Sequence, residues 1–153
     1  MNIRPAAASD QPAITRIIRD AKINPMSLDW HRFIVAEEDE PPAGSGICGR
    51  IVGIGQIKVH GDGSRELASI AVISERRRQG IGSTVIRALL AHETGALYLT
   101  CRQPLETYYA RFGFRRIARE EMPPYFRRII RLANLFTALS RGGVRIIVMK
   151  RDA

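Results

Sequence analysis

The sequence predicts an α/β domain in which short strands alternate with amphipathic helices, and three observations carry that expectation. Leu67 to Ile73 is a nearly continuous apolar run rich in Ile and Val, the pattern of a strand buried on both faces. Gly82 to His92 then places Val85, Ile86, Leu89 and Leu90 at helical spacing, with polar residues between them. Around this pair the whole chain reads in the order β-α-β-β-β-α-β-α-β, followed by a closing strand. A length of 153 residues, 45% hydrophobic and 25% charged, suits one globular domain over 1–153 with a single buried core.

Asn2 to Pro5 reads as the opening strand. Ser9 or Asp10 can cap the first helix, with Pro12 near its first turn, where a missing amide costs nothing. Ile14, Ile17 and Ile18 form its apolar stripe, and it ends before Asn24-Pro25. Trp30 to Ala36 reads as a strand centred on Phe33, Ile34 and Val35. Glu37 to Gly46 is acidic and then rich in Pro and Gly, so it is a loop. Ile47 to Val59 alternates β-branched and small residues with repeated glycines, as a strand with a bend or bulge does. His60-Gly61-Asp62-Gly63 is a hairpin turn into the Leu67 strand. Beyond the central helix, Ala96 to Thr100 is a short strand, and Leu105 to Phe112 is a compact helix stopped by Gly113. Phe114 to Ala118 reads as a strand and Glu121 to Pro124 as a break. Tyr125 to Leu139 has apolar residues near i, i+3 and i+4, and Arg141-Gly142-Gly143 turns into a final strand, Val144 to Met149.

Composition bounds the function from outside. The formal charge is +9, which suits a polyanionic partner, a phosphate-bearing cofactor or acidic substrates. Nucleic acid is disfavoured, because aromatic residues are not interleaved with the basic ones as a stacking platform requires. Cys48 and Cys101 stand far apart with no partner pattern, which points to neither a zinc site nor a disulfide framework. His31, His60 and His92 show no metal-ligand spacing, so no metal is expected. No apolar run approaches the roughly 20 residues that span a bilayer. The opening MNIRPAAASDQP lacks the apolar core of a secretory signal, and a soluble cytoplasmic protein is expected.

The joint between the central strand and helix, Ser74 to Gly82, is where chemistry concentrates. First-turn amides of a helix have no intrahelical acceptor, and the helix dipole favours negative charge there. Gly80 and Gly82 let those amides approach an anion closely, Arg76, Arg77 and Arg78 add positive charge, and Ser83 and Thr84 offer hydroxyls. The segment is a cradle for a pyrophosphate. It is not a P-loop, since Ser83 and not Lys follows Gly82, and it lacks the third glycine of a dinucleotide fingerprint.

What fits is the pattern [Q/R]xxGxG, present as Arg77-Arg78-Gln79-Gly80-Ile81-Gly82 after an Ile-Ala-Val strand and before an amphipathic helix. In that context the chain resembles the GNAT superfamily of acyl-CoA-dependent N-acetyltransferases. The resemblance covers most of the chain and implies a mixed, largely antiparallel sheet flanked by helices. It implies acetyl-CoA as acetyl donor and a primary amine as acceptor, with direct attack on the thioester. By the same match, Ile70, Ala71 and Val72 offer backbone groups to the pantetheine arm, and Arg77, Arg78, Gln79, Gly80, Ile81, Gly82, Ser83 and Thr84 hold the pyrophosphate.

A second segment, Tyr108-Tyr109-Ala110-Arg111-Phe112-Gly113-Phe114, is similar to the family's helix end with its tyrosine near the CoA sulfur. That match places Tyr109 as the proton donor to a thiolate whose acid has a pKa of roughly 8.5. A core packing role is the other reading, and Tyr108 is the neighbouring candidate. Glu66 opens the central strand where the family often keeps an acidic residue, and is the first candidate for general base; a solvated carboxylate at a hairpin edge is its alternative. Glu37 and Glu38 can face the acceptor side. Cys101 reads as a small buried hydrophobe. Arg102 stands where many members carry an Asn that contacts the cofactor, which puts that contact in doubt.

One departure is visible, the helix Tyr125 to Leu139 before the last strand, where the family has a hairpin-like loop. Its Arg127, Arg128 and Arg131 lie outside the apolar stripe and would favour acceptors with a carboxylate. Two other functions compete: a catalytically silent acyl-CoA-binding relative, and a basic nucleic-acid-binding module that reads Ser69 to Leu90 as a helix-turn-helix. The acceptor stays open among small amines, amino acids, protein N-termini and lysine side chains. The oligomeric state is open too, with a homodimer among the options.

Overall fold

The computed structural model describes residues 1–38, 49–139 and 144–152, with the side chains of 134–139 excepted. The expected loop 37–46 and the turn Arg141-Gly142-Gly143 lie wholly or mostly outside the described residues, as do Ile47 and Cys48. The chain divides into two compact units, Met1–Ile57 with Ala68–His92, and Lys58–Leu67 with Glu93–Ala153.

The first unit opens with strand β1 (Asn2–Pro5) and helix α1 (Gln11–Asp20), preceded by a 3-10 turn over Ala8–Asp10. Ile14, Ile17 and Ile18 are buried as the helical spacing requires, at 0%, 2% and 0% exposure. Removing either fully buried isoleucine to Ala would cost about 2–5 kcal/mol. The expected cap is a correction. Asp10 sits at the N-cap of α1 but makes no side-chain bond to it. Its carboxylate accepts from the Ala7 amide at 2.7 Å and from Arg4 Nη1 at 2.7 Å, while Arg4 Nε donates to Glu37 at 2.7 Å. Arg4 engages both Asp10 oxygens through Nη1 and Nη2, and this paired contact together with the Ala7 amide holds the carboxylate away from the first turn of α1.

Strand β2 (Phe33–Glu37) starts later than Trp30, because Trp30–Arg32 form a 3-10 turn. It pairs antiparallel with β1, Ile3 opposite Ala36, and with strand β3 (Ile51–Val59), Val35 opposite Ile54. The expected bulge is present: Ala36 faces Gly53 and Glu37 faces Ile51, a register shift that leaves Val52 between them. Strand β4 (Arg65–Val72), from Ala68 on, and helix α2 (Ile81–Leu90) complete the unit, with Val85 and Ile86 fully buried. A Cβ on Gly55 would fall 2.7 Å from both Ile70 Cδ1 and Val85 Cγ1, so only glycine lets α2 lie this close to the strand. Ser69–Leu90 is therefore a strand followed by a helix, and the helix-turn-helix reading falls.

In the second unit, strand β5 (Leu97–Arg102) is followed by a 3-10 turn over Gln103–Leu105 and helix α3 (Glu106–Ala110), shorter than the expected helix. Strand β6 shrinks to Arg115–Arg116. Helix α4 (Pro124–Leu139) stands where an inserted helix was expected, and strand β7 (Ile146–Arg151) closes the chain. The α4 amide of Tyr125 donates to Asp62 Oδ2 at 2.8 Å, so the helix start is capped by the hairpin turn before β4. Phe126 is fully buried among Ile117, Met122 and Val148. Strand β7 lies between β5 and β6, with Thr100 opposite Val148 and Arg116 opposite Met149. Strand β5 also runs parallel to β4 at Glu66–Tyr98.

Through β4, which contributes to both units, the strand order is β1-β2-β3-β4-β5-β7-β6, mostly antiparallel, the mixed α/β architecture that the resemblance implies. Among the described residues no helix is long and apolar enough to cross a membrane.

Candidate active site

In the first unit the end of β4 leads through a 3-10 turn at Ser74–Arg76 to the start of α2. Gly80 takes the N-cap position with φ +82°, and Arg78 before it has φ +62°. A Cβ at Gly80 would meet nothing within 4 Å, so the backbone angle and not crowding calls for glycine, and the space over the loop is open. The Thr84 amide, bonded to the Gly80 carbonyl at 3.0 Å, is the first to join the ladder of α2. The amides of Ile81 and Gly82 precede it and point out of the helix start. This backbone geometry fits an anionic pyrophosphate.

The side chains of the loop are placed less uniformly than the sequence implies. Arg76 is bound to Glu38, which neutralises it, so it is not free charge for a phosphate. Arg77 Nε donates to the Val72 carbonyl at 3.2 Å, which partly occupies a backbone acceptor expected to serve a pantetheine arm. Gln79 Nε2 donates to the Glu75 carbonyl at 3.3 Å. Ile81 and Ser83 are buried, and the Thr84 hydroxyl donates to the Gly80 carbonyl at 3.3 Å. Arg77 and Arg78 remain exposed beside the free amides. A cavity of about 410 Å³ lies alongside, lined by Arg16, Arg50, Val72, Ile73 and Arg77 among others. In β4, Ala71 is buried, Ile70 and Val72 half-buried, and Ser69 has φ +57°, a strained angle for a non-glycine. Ser69 Oγ accepts from the fully buried Gln56 Nε2 at 2.9 Å, which holds the distortion.

The second unit gathers a polar cluster that the sequence disclosed only in part. Glu66 is 8% exposed, so it is not the solvated carboxylate that a hairpin edge suggests. Its Oε1 accepts from the Thr100 hydroxyl at 3.1 Å, and its Oε2 lies 2.9 Å from His60 Nε2. The His60 ring stacks on Tyr125, centroids 3.5 Å apart and planes 15° apart, and meets the edge of Phe126 at 5.7 Å. No local pattern in the sequence singles out Thr100, His60 or Tyr125. The one legible hint is that His60 stands just before a tight turn, which folds it back beside Glu66.

Tyr109 lies on the other side of β5. Its phenol stands beside the Cys101 thiol, and burial pushes its pKa well above the ordinary phenol value. Cys101 and Thr100 are successive strand residues and point to opposite faces. The acid and base candidates therefore occupy opposite faces of one strand. The Cys101 thiol is pushed up to about 11, first by burial, and its Sγ lies 3.9 Å from Met149 Sδ, as a buried hydrophobe would. Arg102 is exposed at the end of β5. Glu37 and Glu38 are committed to Arg4 and Arg76, and serve as structural ion pairs.

Residues 29–116, more than half of the chain, match the acetyltransferase (GNAT) domain family. Solved structures with the same fold include Neisseria gonorrhoeae N-acetylglutamate synthase in complex with coenzyme A and N-acetyl-glutamate. It shares 18% identity over 99% of this chain at a TM-score of 0.74. This chain spans only 34% of that synthase. Rv2747 from Mycobacterium tuberculosis, in complex with CoA, shares 20% identity over 100% of this chain and 99% of its own, at a TM-score of 0.69. The ribosomal-protein-S18-alanine N-acetyltransferase of Escherichia coli shares 19% identity over 99% and 92%, at 0.61. No curated protein sequence matches the chain.

Proposed function

Since the chain belongs to the acetyltransferase (GNAT) family, we propose that it transfers an acetyl group from acetyl-CoA to a primary amine by direct attack on the thioester. The observation that carries this reading is the division of polar groups across β5, with Glu66, His60 and Thr100 to one side and Tyr109 to the other. Bound acetyl-CoA supplies an acetyl group already activated as a thioester.

An amine must lose a proton before it attacks, and a lysine-type amine titrates near roughly 10.4, an α-amine near roughly 7.7. Glu66 takes that proton. Thr100 and His60 each engage one of its oxygens, so the carboxylate is held in one orientation and needs no reordering when the acceptor arrives. Tyr109 plays the opposite part. Burial keeps its proton in place, and the raised pKa makes full transfer to a thiolate uphill, so it acts as a hydrogen-bond donor to charge developing on sulfur. Arg77, Arg78 and the amides of Ile81 and Gly82 hold the pyrophosphate, and the backbone of Ile70, Ala71 and Val72 aligns the pantetheine arm.

The test pairs binding with turnover. CoA at roughly a hundred times its dissociation constant should raise stability by about 2.7 kcal/mol. A panel of amines with acetyl-CoA should release free thiol. No thermal shift at millimolar CoA defeats the donor assignment. A shift without thiol release across the panel favours a silent acyl-CoA-binding protein instead.

A further inference from the structure

A cavity of about 710 Å³ opens within the second unit, between α4 and the β6–β7 edge. Arg116, Arg119, Arg127, Arg131 and Arg145 line it, and among the described residues no carboxylate does. The rest of the wall is largely apolar, formed by Ile117, Met122, Ile130, Ile146 and Val148. The size suits a small organic ligand.

Two of the guanidiniums are already engaged. Arg127 donates to the carbonyls of Met122 at 2.7 Å and Glu120 at 3.1 Å, and Arg116 lies 4.0 Å from Glu106. Among the described residues no ion pair engages Arg119, Arg131 or Arg145, whereas Arg115 and Arg116 are each paired. Glu121, in the segment between β6 and α4, is paired with Arg115. Like charges gathered on one wall repel, and an anion bridging them offsets that repulsion through paired N–H donors.

The position of the cavity links it to the proposed base. Val148 lines it and stands opposite Thr100 across β5 and β7. Cross-strand partners share a face of the sheet, so the cavity opens on the face where Thr100 holds Glu66. Met122 lines it too, and packs with Phe126, the ring that touches His60.

We propose that this cavity holds the acidic part of the acetyl acceptor, so that the preferred acceptors are amines carrying two or more carboxylates on a short apolar body. Three uncommitted arginine forks call for more than one carboxylate, and the Ile, Met and Val wall calls for methylene groups between them. The inference rests on the acetyl-transfer reading above. A free amino acid and an acidic peptide N-terminus present the same chemistry, and the assay separates them.

Thiol release is measured with L-glutamate against L-glutaminamide, and with glutamyl-glutamate against its amidated counterpart. At least one acid should exceed its amide about a hundredfold in kcat/KM, and the pair that does so names the source. R131Q and R145Q should each shrink that preference about tenfold. In parallel, glutarate is titrated calorimetrically into wild type and R131Q, with an expected loss of about tenfold in affinity. Equal turnover of acids and amides overturns the proposal, as does an unchanged preference in both variants. Should no acceptor be turned over although CoA raises the melting temperature, the titration decides. Glutarate binding that weakens in R131Q sustains the site, and its absence in wild type removes it. Failure of the donor reading is read separately, as no CoA shift in wild type.

Discussion

The loop before α2 and the cluster around Glu66 are both candidates for the same reaction, yet they are made from different parts of the chain. In the loop, consecutive residues present backbone amides, while some side chains turn away: Ile81 into the core and Arg76 to Glu38. In the cluster, the backbone only supplies positions, and side chains from residues 60, 66, 100 and 125 converge. A site made of amides tolerates side-chain exchange and suffers from changes in φ or bulk. A site made of side chains behaves the other way round.

The largest effect should come from the cluster. Glu66→Gln keeps the shape and the bonds to Thr100 but removes the proton acceptor, and kcat should fall about 10³-fold. The deficit should narrow as pH rises toward the acceptor's own pKa, where the amine no longer needs a base. A loss below tenfold, with chemistry shown to limit turnover, would make the carboxylate structural.

Tyr109→Phe removes one hydroxyl from a half-buried ring and should cost about 10²-fold in kcat, with donor KM little changed. Because burial keeps the phenol protonated through the working range, no basic limb in the pH–rate profile should belong to it. Unchanged turnover would return Tyr109 to the core.

For the loop, Gly82→Val should weaken CoA about tenfold or more, and Arg78→Ala only a few-fold, as judged by the CoA-dependent rise in melting temperature. The reverse ranking would mean that charge rather than backbone geometry dominates there.

The smallest effect concerns the cap that joins the hairpin turn to α4. Asp62 accepts from the Ser64 hydroxyl and the Tyr125 amide, and its pKa is lowered to about 2. A carboxylate depressed on folding contributes stability above its unfolded pKa of roughly 3.9 and loses it as pH falls toward the folded value. Melting temperatures of wild type and Asp62→Asn should differ at neutral pH and converge near the acid end. Parallel curves down to that end would show that the cap carries no pH-linked stability.

Local patterns of residues were enough for the central strand and helix, for the inserted helix, and for the glycine loop, because each is fixed by neighbours a few positions apart. Helical spacing placed Ile14, Ile17 and Ile18 in the core, and the glycines of β3 announced its bulge. The capping of α1 departs from the local rule because Arg4 competes for Asp10, and the reach of Arg4 to Asp10 and Glu37 has no local signature. The shortening of β6 and the turn at Trp30–Arg32 are likewise set by pairing partners and not by propensity.

By itself, then, the sequence determined the order of elements, the glycine turn at the start of α2 and the family resemblance, since repeats of 2 and 3.6 residues and a glycine at φ > 0 are local properties of a chain. Tertiary structure decided which charges are spent on one another and which are left exposed. It buried Glu66 against His60 and Thr100, set Tyr109 on the opposite face of β5, and gathered arginines from three segments around one cavity. Those outcomes depend on distances between residues far apart in the chain, and electrostatic and hydrogen-bond energies follow distance in space rather than separation in sequence.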